Sequence, residues 1–181
     1  IVPSLVSFLG GELSPGDCDG QSFLSLLEGG SQPIHSYLLG AFTNCRINDN
    51  KDRVFPIRSI RDERYSLIYN PNFQNGMTSN ITLSRALEIL KPDQKKKANL
   101  DPASSWVMKA NLTTSEEELV HKLHHRPEYE LYDLLNDPFE LVNLIGDAKF
   151  KKVGHRLKQA LHKKLGKLGD ADPVKTERKL L

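Results

Sequence analysis

The sequence predicts an α+β fold, a small antiparallel sheet with a C-terminal helix packed on one face. Three observations predict it. Residues 54–60 and 65–69 are β-type runs joined by the charged turn Arg61-Asp62-Glu63-Arg64, the pattern of a hairpin. Glu130-Leu131-Tyr132-Asp133-Leu134 alternates polar and apolar, as a half-buried strand does. Between 148 and 168, Phe150, Val153, Leu157, Leu161, Leu165 and Leu168 recur every three or four residues and form one apolar stripe of a helix.

Each element follows in chain order. Residues 1–10 form an amphipathic helix ending at Gly10-Gly11. It begins at Ile1 with no start signal, so the expectation is a fragment of something longer, with a processed mature N-terminus as the alternative. Residues 12–20 are loop by composition. Residues 21–28 make a short helical or turn segment closed by Gly29-Gly30. Residues 34–42 read as a strand and 43–53 as a polar loop. In the first run of the hairpin, alternation puts Ile57, Ser59 and Arg61 on one face and Arg58 and Ile60 on the other. Pro56 argues that this run lies at a sheet edge or is bulged there. Residues 70–80 are rich in Gly, Asn and Pro and read as loop. Leu83, Ala86, Leu87 and Leu90 have helical spacing, stopped by Pro92. Ser115-Glu116-Glu117-Glu118 has capping-box spacing and opens a helix to about His125. After the strand at 130–134 comes the breaker Asn136-Asp137-Pro138. Asp137 is placed to cap a helix, Pro138 fits its first position and Glu140 is spaced to reach back to the cap. Tyr129, Leu131, Leu134, Phe139, Leu141 and Leu144 are expected to pack this strand and turn onto the terminal helix. Residues 169–181 read as a polar, frayed tail.

Composition sets limits. A chain of 181 residues is long enough for one domain with a core, burying roughly 70% of its unfolded surface. A net charge of +2 is too small to argue for nucleic acid, and no apolar run approaches the roughly 20 residues of a membrane span. Cys18 and Cys45 lie in no metal-type arrangement and read as two thiols or a single pair. His121, His124 and His125 share a helix face but lack a carboxylate at ligand spacing. Asn80-Ile81-Thr82 and Asn111-Leu112-Thr113 are glycosylation acceptor triplets at Asn80 and Asn111, compatible with a secretory route, lysosomal or extracellular, or periplasmic in a bacterium. Lys151, Lys152, Arg156, Lys158, Lys163, Lys164 and Lys167 line the other faces of the terminal helix. Their plain reading is a solvated face, and the alternative is attraction to sulfated glycans or another anionic surface.

Three blocks, in order, resemble type I sulfatases. Ile1-Val2-Pro3-Ser4-Leu5-Val6 with Asp19-Gly20-Gln21-Ser22-Phe23-Leu24-Ser25-Leu26-Leu27-Glu28-Gly29 resembles the pair "D-I-x-P-T-L" and "D-G-x-S-x-x-P-L-L-x-G". Residues 58–70, Arg-Ser-Ile-Arg-Asp-Glu-Arg-Tyr-Ser-Leu-Ile-Tyr-Asn, resemble "R-S-V-R-x-x-R-Y-K-L-I-x-N". Residues 127–144 resemble "P-x-x-E-L-Y-D-L-x-x-D-P-x-E-x-x-N-L". Phe-Pro-Ile-Arg-Ser at 55–59 is most similar to the heparan N-sulfatase (sulfamidase) type. Phe42-Thr43-Asn44 departs from the His-Thr-Thr loop of related bacterial enzymes.

The resemblance implies a fold, a chemistry and a division of labour. It implies that the small sheet is preceded by the end of an α/β, alkaline-phosphatase-like catalytic domain, with 1–30 as that tail end, 31–169 as the C-terminal subdomain and 170–181 as a polar tail. Sulfatases attack sulfur with a formylglycine made from a C/S-x-P-x-R motif, and calcium held by oxygen ligands polarises the sulfate. Neither cysteine here sits in that motif. No catalytic or metal residue is therefore assigned, and formylglycine and calcium are expected only in an upstream catalytic domain. The expected partners are that domain and a sulfated carbohydrate, with no nucleic acid and no membrane span. By position in the family, Asn44, Arg46 and Arg53 in the loop 43–53 are the candidate substrate-binding residues. Asn44 suits sugar hydroxyls, and the two guanidiniums suit forked bonds to sulfate or carboxylate. The implied function is hydrolysis of sulfate esters or sulfamates. The alternative is a stand-alone or degenerate module that binds sulfated glycans.

Overall fold

The structure is a computed structural model that describes residues 1–43, 54–75 and 113–179. The expected helix around 83–90, the acceptor triplets at Asn80 and Asn111, and Cys45 lie outside the described residues. The chain divides into two compact units, Ile1–Leu38 and Leu39–Leu181.

In the first unit, α1 (Val2–Phe8) and α2 (Leu24–Leu27) pack together. Pro3 sits in the first turn of α1, where a missing N–H costs nothing. The buried Ser4 hydroxyl accepts from Phe23 N at 2.9 Å and ties the start of α2 to α1. Gly10, at φ +77, lets the chain leave α1 in a left-handed turn that a side chain would strain.

The second unit is a four-stranded sheet in the order β1 (Leu38–Phe42), β2 (Ile57–Arg61), β3 (Tyr65–Tyr69), β4 (Tyr129–Asp133). β2, β3 and β4 pair antiparallel, as expected from the hairpin and the alternating strand. Register aligns Ile60 with Leu67 and Leu67 with Leu131. These three side chains make one fully buried row under the terminal helix α4 (Lys151–Lys167), whose Leu157, Leu161 and Leu165 are also buried. Burying each such side chain contributes roughly 1.5–3 kcal/mol, so this seam is the centre of the fold. Gly154 lies in it with Leu131 and Ile145 close by.

Several expectations are corrected. β2 lies between β1 and β3 and starts after Pro56, so the proline needs neither an edge nor a bulge. Helix α3 (Thr114–His124) is capped by Thr113 with Glu116, two residues before the expected cap. No helix starts at Pro138. The Asp137 carboxylate accepts from Val142 N, and Glu140 takes φ +54, outside the right-handed helical region, so 134–142 is a turn. Phe139 and Leu141 are exposed rather than packed on the helix, and Leu168, the last residue of the stripe, is exposed as well.

The expected frayed tail is folded through residue 179. α5 (Pro173–Arg178) is capped by the Asp172 carboxylate accepting from Lys175 N, and it buries Pro173 and Glu177. The reason is a buried cation on β2, described next.

Candidate functional site

Asn44, Arg46 and Arg53 lie outside the described residues, and the structure fixes only the two ends of their loop. At the first end, β1 approaches β2 so closely that a Cβ on Gly40 would meet Ser59 Oγ at 2.5 Å, a contact that only glycine avoids. There Arg58, buried on β2, donates from Nη1 to Phe42 O at 3.1 Å, at the last residue of β1. Its guanidinium also donates from Nε to Asp170 at 2.6 Å and from Nη1 to Glu177 at 3.3 Å and to Ile57 O at 3.1 Å. A buried cation needs such pairing, which is why a polar tail folds back here. At the second end, the Asn72 amide donates to Val54 O, with Val54 and Phe55 buried beneath.

Two of the hairpin arginines, Arg58 and Arg64, pair with acids from distant parts of the chain and not with those of their own turn. Arg64 forks onto Asp133 at 2.9 and 2.6 Å, Asp62 accepts from Arg156 of α4 at 2.6 Å, and Arg58 reaches Asp170 and Glu177. The turn's own backbone uses Asp62, which accepts from Arg64 N and Tyr65 N.

On the sheet face opposite the Ile60–Leu67–Leu131 row sits a second polar cluster. Glu130, 2% exposed, accepts from Asn70 Nδ2 at 2.8 Å, Tyr132 Oη at 2.6 Å and Arg126 Nε at 2.8 Å and Nη2 at 3.3 Å. Asn70 also donates to Pro127 O. Beyond it, Asn143 Oδ1 accepts from Leu131 N and Ile145 N and closes the turn onto β4. Residues 58–70 and 127–144, the two blocks read separately in the sequence, thus satisfy each other's polar groups across β3 and β4.

These contacts set the acid response. Burial alone would raise the Glu130 carboxyl, but the bonds from Arg126, Tyr132 and Asn70 hold it below its ordinary 4.5. The Arg64 fork, opposed by burial and helped by Asn136, holds Asp133 at about 2 rather than 3.8. A carboxylate depressed in the folded state stabilises that state above its unfolded value and loses the contribution as pH falls through the folded one. Stability in urea is therefore expected to be level near neutrality and to fall between pH 4.5 and about 2. A flat profile across that interval would contradict these pairings. Near α4, burial first and the neighbouring Tyr69 second push the Tyr129 hydroxyl up to about 12, keeping it protonated beside His162 Nε2 at 2.7 Å.

Among the described residues no group of three or more His, Cys, Asp or Glu is placed to hold a metal. Asp170 and Asp172 serve Arg58 and the α5 cap, and the His121 and His125 rings lie 4.6 Å apart without a third ligand. Cys18, in Cys-Asp-Gly-Gln-Ser, does not match the modification motif. The described residues therefore do not fit either a calcium site or a formylglycine. Sequence reading missed Asn72, Asp170 and Glu177 as positioning residues for the loop. A lone Asn in a loop and acids in a polar tail carry no local signal of that role.

No protein-family profile matches the chain. The chain is 32% identical over 157 residues to the ulvan-active sulfatase of Formosa agariphila, a match covering 87% of this chain and 26% of that protein. It thus spans about a quarter of the curated relative's length. A solved 2-O GAG sulfatase superposes with a TM-score of 0.53 at 18% identity, over 94% of this chain and 24% of that one. A protein solved with its substrate, D-glucosamine-2-N,6-O-disulfate, gives a TM-score of 0.54 at 20% identity, over 95% and 24%. At these identities the structures establish likeness of fold. A small antiparallel sheet braced by the terminal helix is shared with sulfatase structures, and the sequence is similar to that of a sulfatase.

Proposed function

We propose that this chain is the C-terminal portion of a sulfatase acting on sulfated sugars, and that it shapes the substrate pocket through the loop 44–53. The observation that carries the reading is the sequence likeness to the ulvan-active sulfatase along nearly the whole chain but over only 26% of that protein. The nucleophile and a calcium site then belong to polypeptide before Ile1. Exposed apolar side chains support such a neighbour: Ile1, Phe8 and Leu9 of the first unit and Phe42 on β1, the edge strand among the described residues, are all exposed, and an exposed edge strand invites a covering element. They weigh against the stand-alone module. N-sulfoglucosamine is the finer substrate proposal, resting on the Phe-Pro-Ile-Arg-Ser block, and O-sulfated ulvan oligosaccharides are the competing one. A secretory or periplasmic location follows from this reading, as does glycosylation at Asn80 and Asn111 in a eukaryotic host.

The test is sulfate release by the full-length gene product from glucosamine N-sulfate and from ulvan oligosaccharides. Release from either supports a sulfatase, and the preferred sugar decides the finer assignment. Arg46→Ala and Arg53→Ala should each raise KM by roughly 10- to 100-fold, with kcat changed less, as loss of a charge-assisted contact to sulfate predicts. No release from N- or O-sulfated sugars would overturn the proposal. Unchanged KM in both variants would remove the loop from the pocket.

A further inference from the structure

Residues 148–169 carry eight Lys and Arg and no Asp or Glu, in a chain whose net charge is only +2. The rest of the chain carries 17 Lys and Arg against 23 Asp and Glu, so this helix is a concentrated positive segment. At its first turns the surface is concave. An open cleft of about 550 Å³ is lined by Phe150, Lys151, Lys152, Gly154, His155 and Lys158, over a floor that includes Ile145. No acid lines it. The volume falls within the roughly 300–1,000 Å³ of small-ligand sites.

The cations differ in availability. Arg156 is engaged by Asp62 at 2.6 Å, and the Lys158 ammonium lies 3.7 Å from the centre of the Tyr129 ring. Lys151, Lys152 and His155 are exposed at the rim. Phe150, in the lining, is half-buried and packs edge-to-face with Tyr65. The 17-residue helix α4 begins at this cleft, so its dipole adds to the positive field.

We infer that this cleft is a docking site for a sulfated saccharide unit that holds a polymeric substrate on the enzyme. Resting on the proposed function for the class of sugar, the assignment otherwise follows from chemistry. Rim ammonium groups meet sulfate oxygens, and a recessed apolar floor meets the C–H face of a sugar ring. A membrane surface fits less well, because the large apolar side chains here, Ile145 and Phe150, are half-buried rather than exposed. Duplex nucleic acid fits less well because a small concavity would meet few of its phosphates at once.

The test is binding of a fluorescent heparin oligosaccharide to the full-length gene product in low salt, comparing the unaltered protein with Lys151→Gln/Lys152→Gln. Both positions are exposed, so the double variant should keep its melting temperature. Affinity should fall about tenfold, the sum of two modest surface ion pairs, and Lys175→Gln/Lys179→Gln, on and beyond α5, should leave it unchanged. De-sulfated heparin should not compete. Absence of binding, equal affinity in the first double variant, or equal competition by duplex DNA or anionic vesicles overturns the inference. The proposed activity fails separately. A protein that binds heparin through Lys151 and Lys152 but releases no sulfate keeps the docking site and loses the reaction. One that releases sulfate from a monosaccharide while the double variant binds heparin normally does the reverse.

Discussion

Replacing Arg58 by alanine is expected to cost roughly 3–5 kcal/mol of stability, the penalty for leaving buried charge without its partner. The side chain is buried, and it donates to one oxygen of each of the Asp170 and Glu177 carboxylates and to the carbonyls of Phe42 and Ile57. Glu177 is fully buried, so its charge cannot turn to water when the guanidinium goes. Urea unfolding would measure the loss directly. Arg58→Lys should recover only part of it, because one ammonium cannot serve acceptors spread around a planar fork. Arg58→Met combined with Asp170→Asn and Glu177→Gln should be closer to the unaltered protein than Arg58→Ala, since no unpaired charge remains. A loss below about 1 kcal/mol for Arg58→Ala would mean that the tail is not held by this group. The consequence reaches function. With Arg58 removed, the Phe42 end of the loop 44–53 loses its tie, so in the proposed enzyme KM should rise even in whatever fraction stays folded.

Arg58 also marks where the sequence stops being legible. The strands could be read because alternation is a local property: Glu130 to Leu134 shows it within five residues, and the Asp62-Glu63 turn fixes the hairpin register. The terminal helix could be read because its stripe repeats over five turns. Arg58, by contrast, finds its acids 112 and 119 positions away, and nothing near residue 58 foretells that. The missed elements share this cause. Asp137 has the local signals of a helix cap, yet its carboxylate is taken by Val142 N in a turn, and the tertiary requirement that Asn143 close onto Leu131 wins over propensity. Phe139 and Leu141 read as core from their apolar side chains alone, and the same turn projects them into solvent. The two motif blocks were legible as patterns but not as partners. Arg64 with Asp133 and Asn70 with Glu130 become intelligible only once β3 and β4 are side by side. The loop residues Asn44, Arg46 and Arg53 rest on the family resemblance, while the fixed ends of their loop rest on Arg58 and Asn72.

The second large effect is expected at Glu130, from a substitution that hardly changes volume. The carboxylate receives Asn70 and Arg126 Nε on one oxygen, and Tyr132 and Arg126 Nη2 on the other. Every neighbour is a donor. In Glu130→Gln one oxygen becomes an amide N–H pair, and whichever way it turns, it faces donors and leaves buried groups unmatched. A charge-assisted bond is worth about 1.5–3 kcal/mol and an unmatched buried group costs about 1–3, so a loss of roughly 3 kcal/mol or more in urea unfolding is expected. Tyr132→Phe removes a single donor and leaves the carboxylate three others, so about 1 kcal/mol is expected there. The order of the two variants is the discriminating result. If Glu130→Gln proved the milder, the carboxylate would have to be protonated in the folded protein, against the direction in which Arg126, Tyr132 and Asn70 hold it. The acid unfolding of the Gln variant then gives an independent reading: its decline below pH 4.5 should be shallower than that of the unaltered protein, because one of the depressed carboxylates that drive the decline is gone.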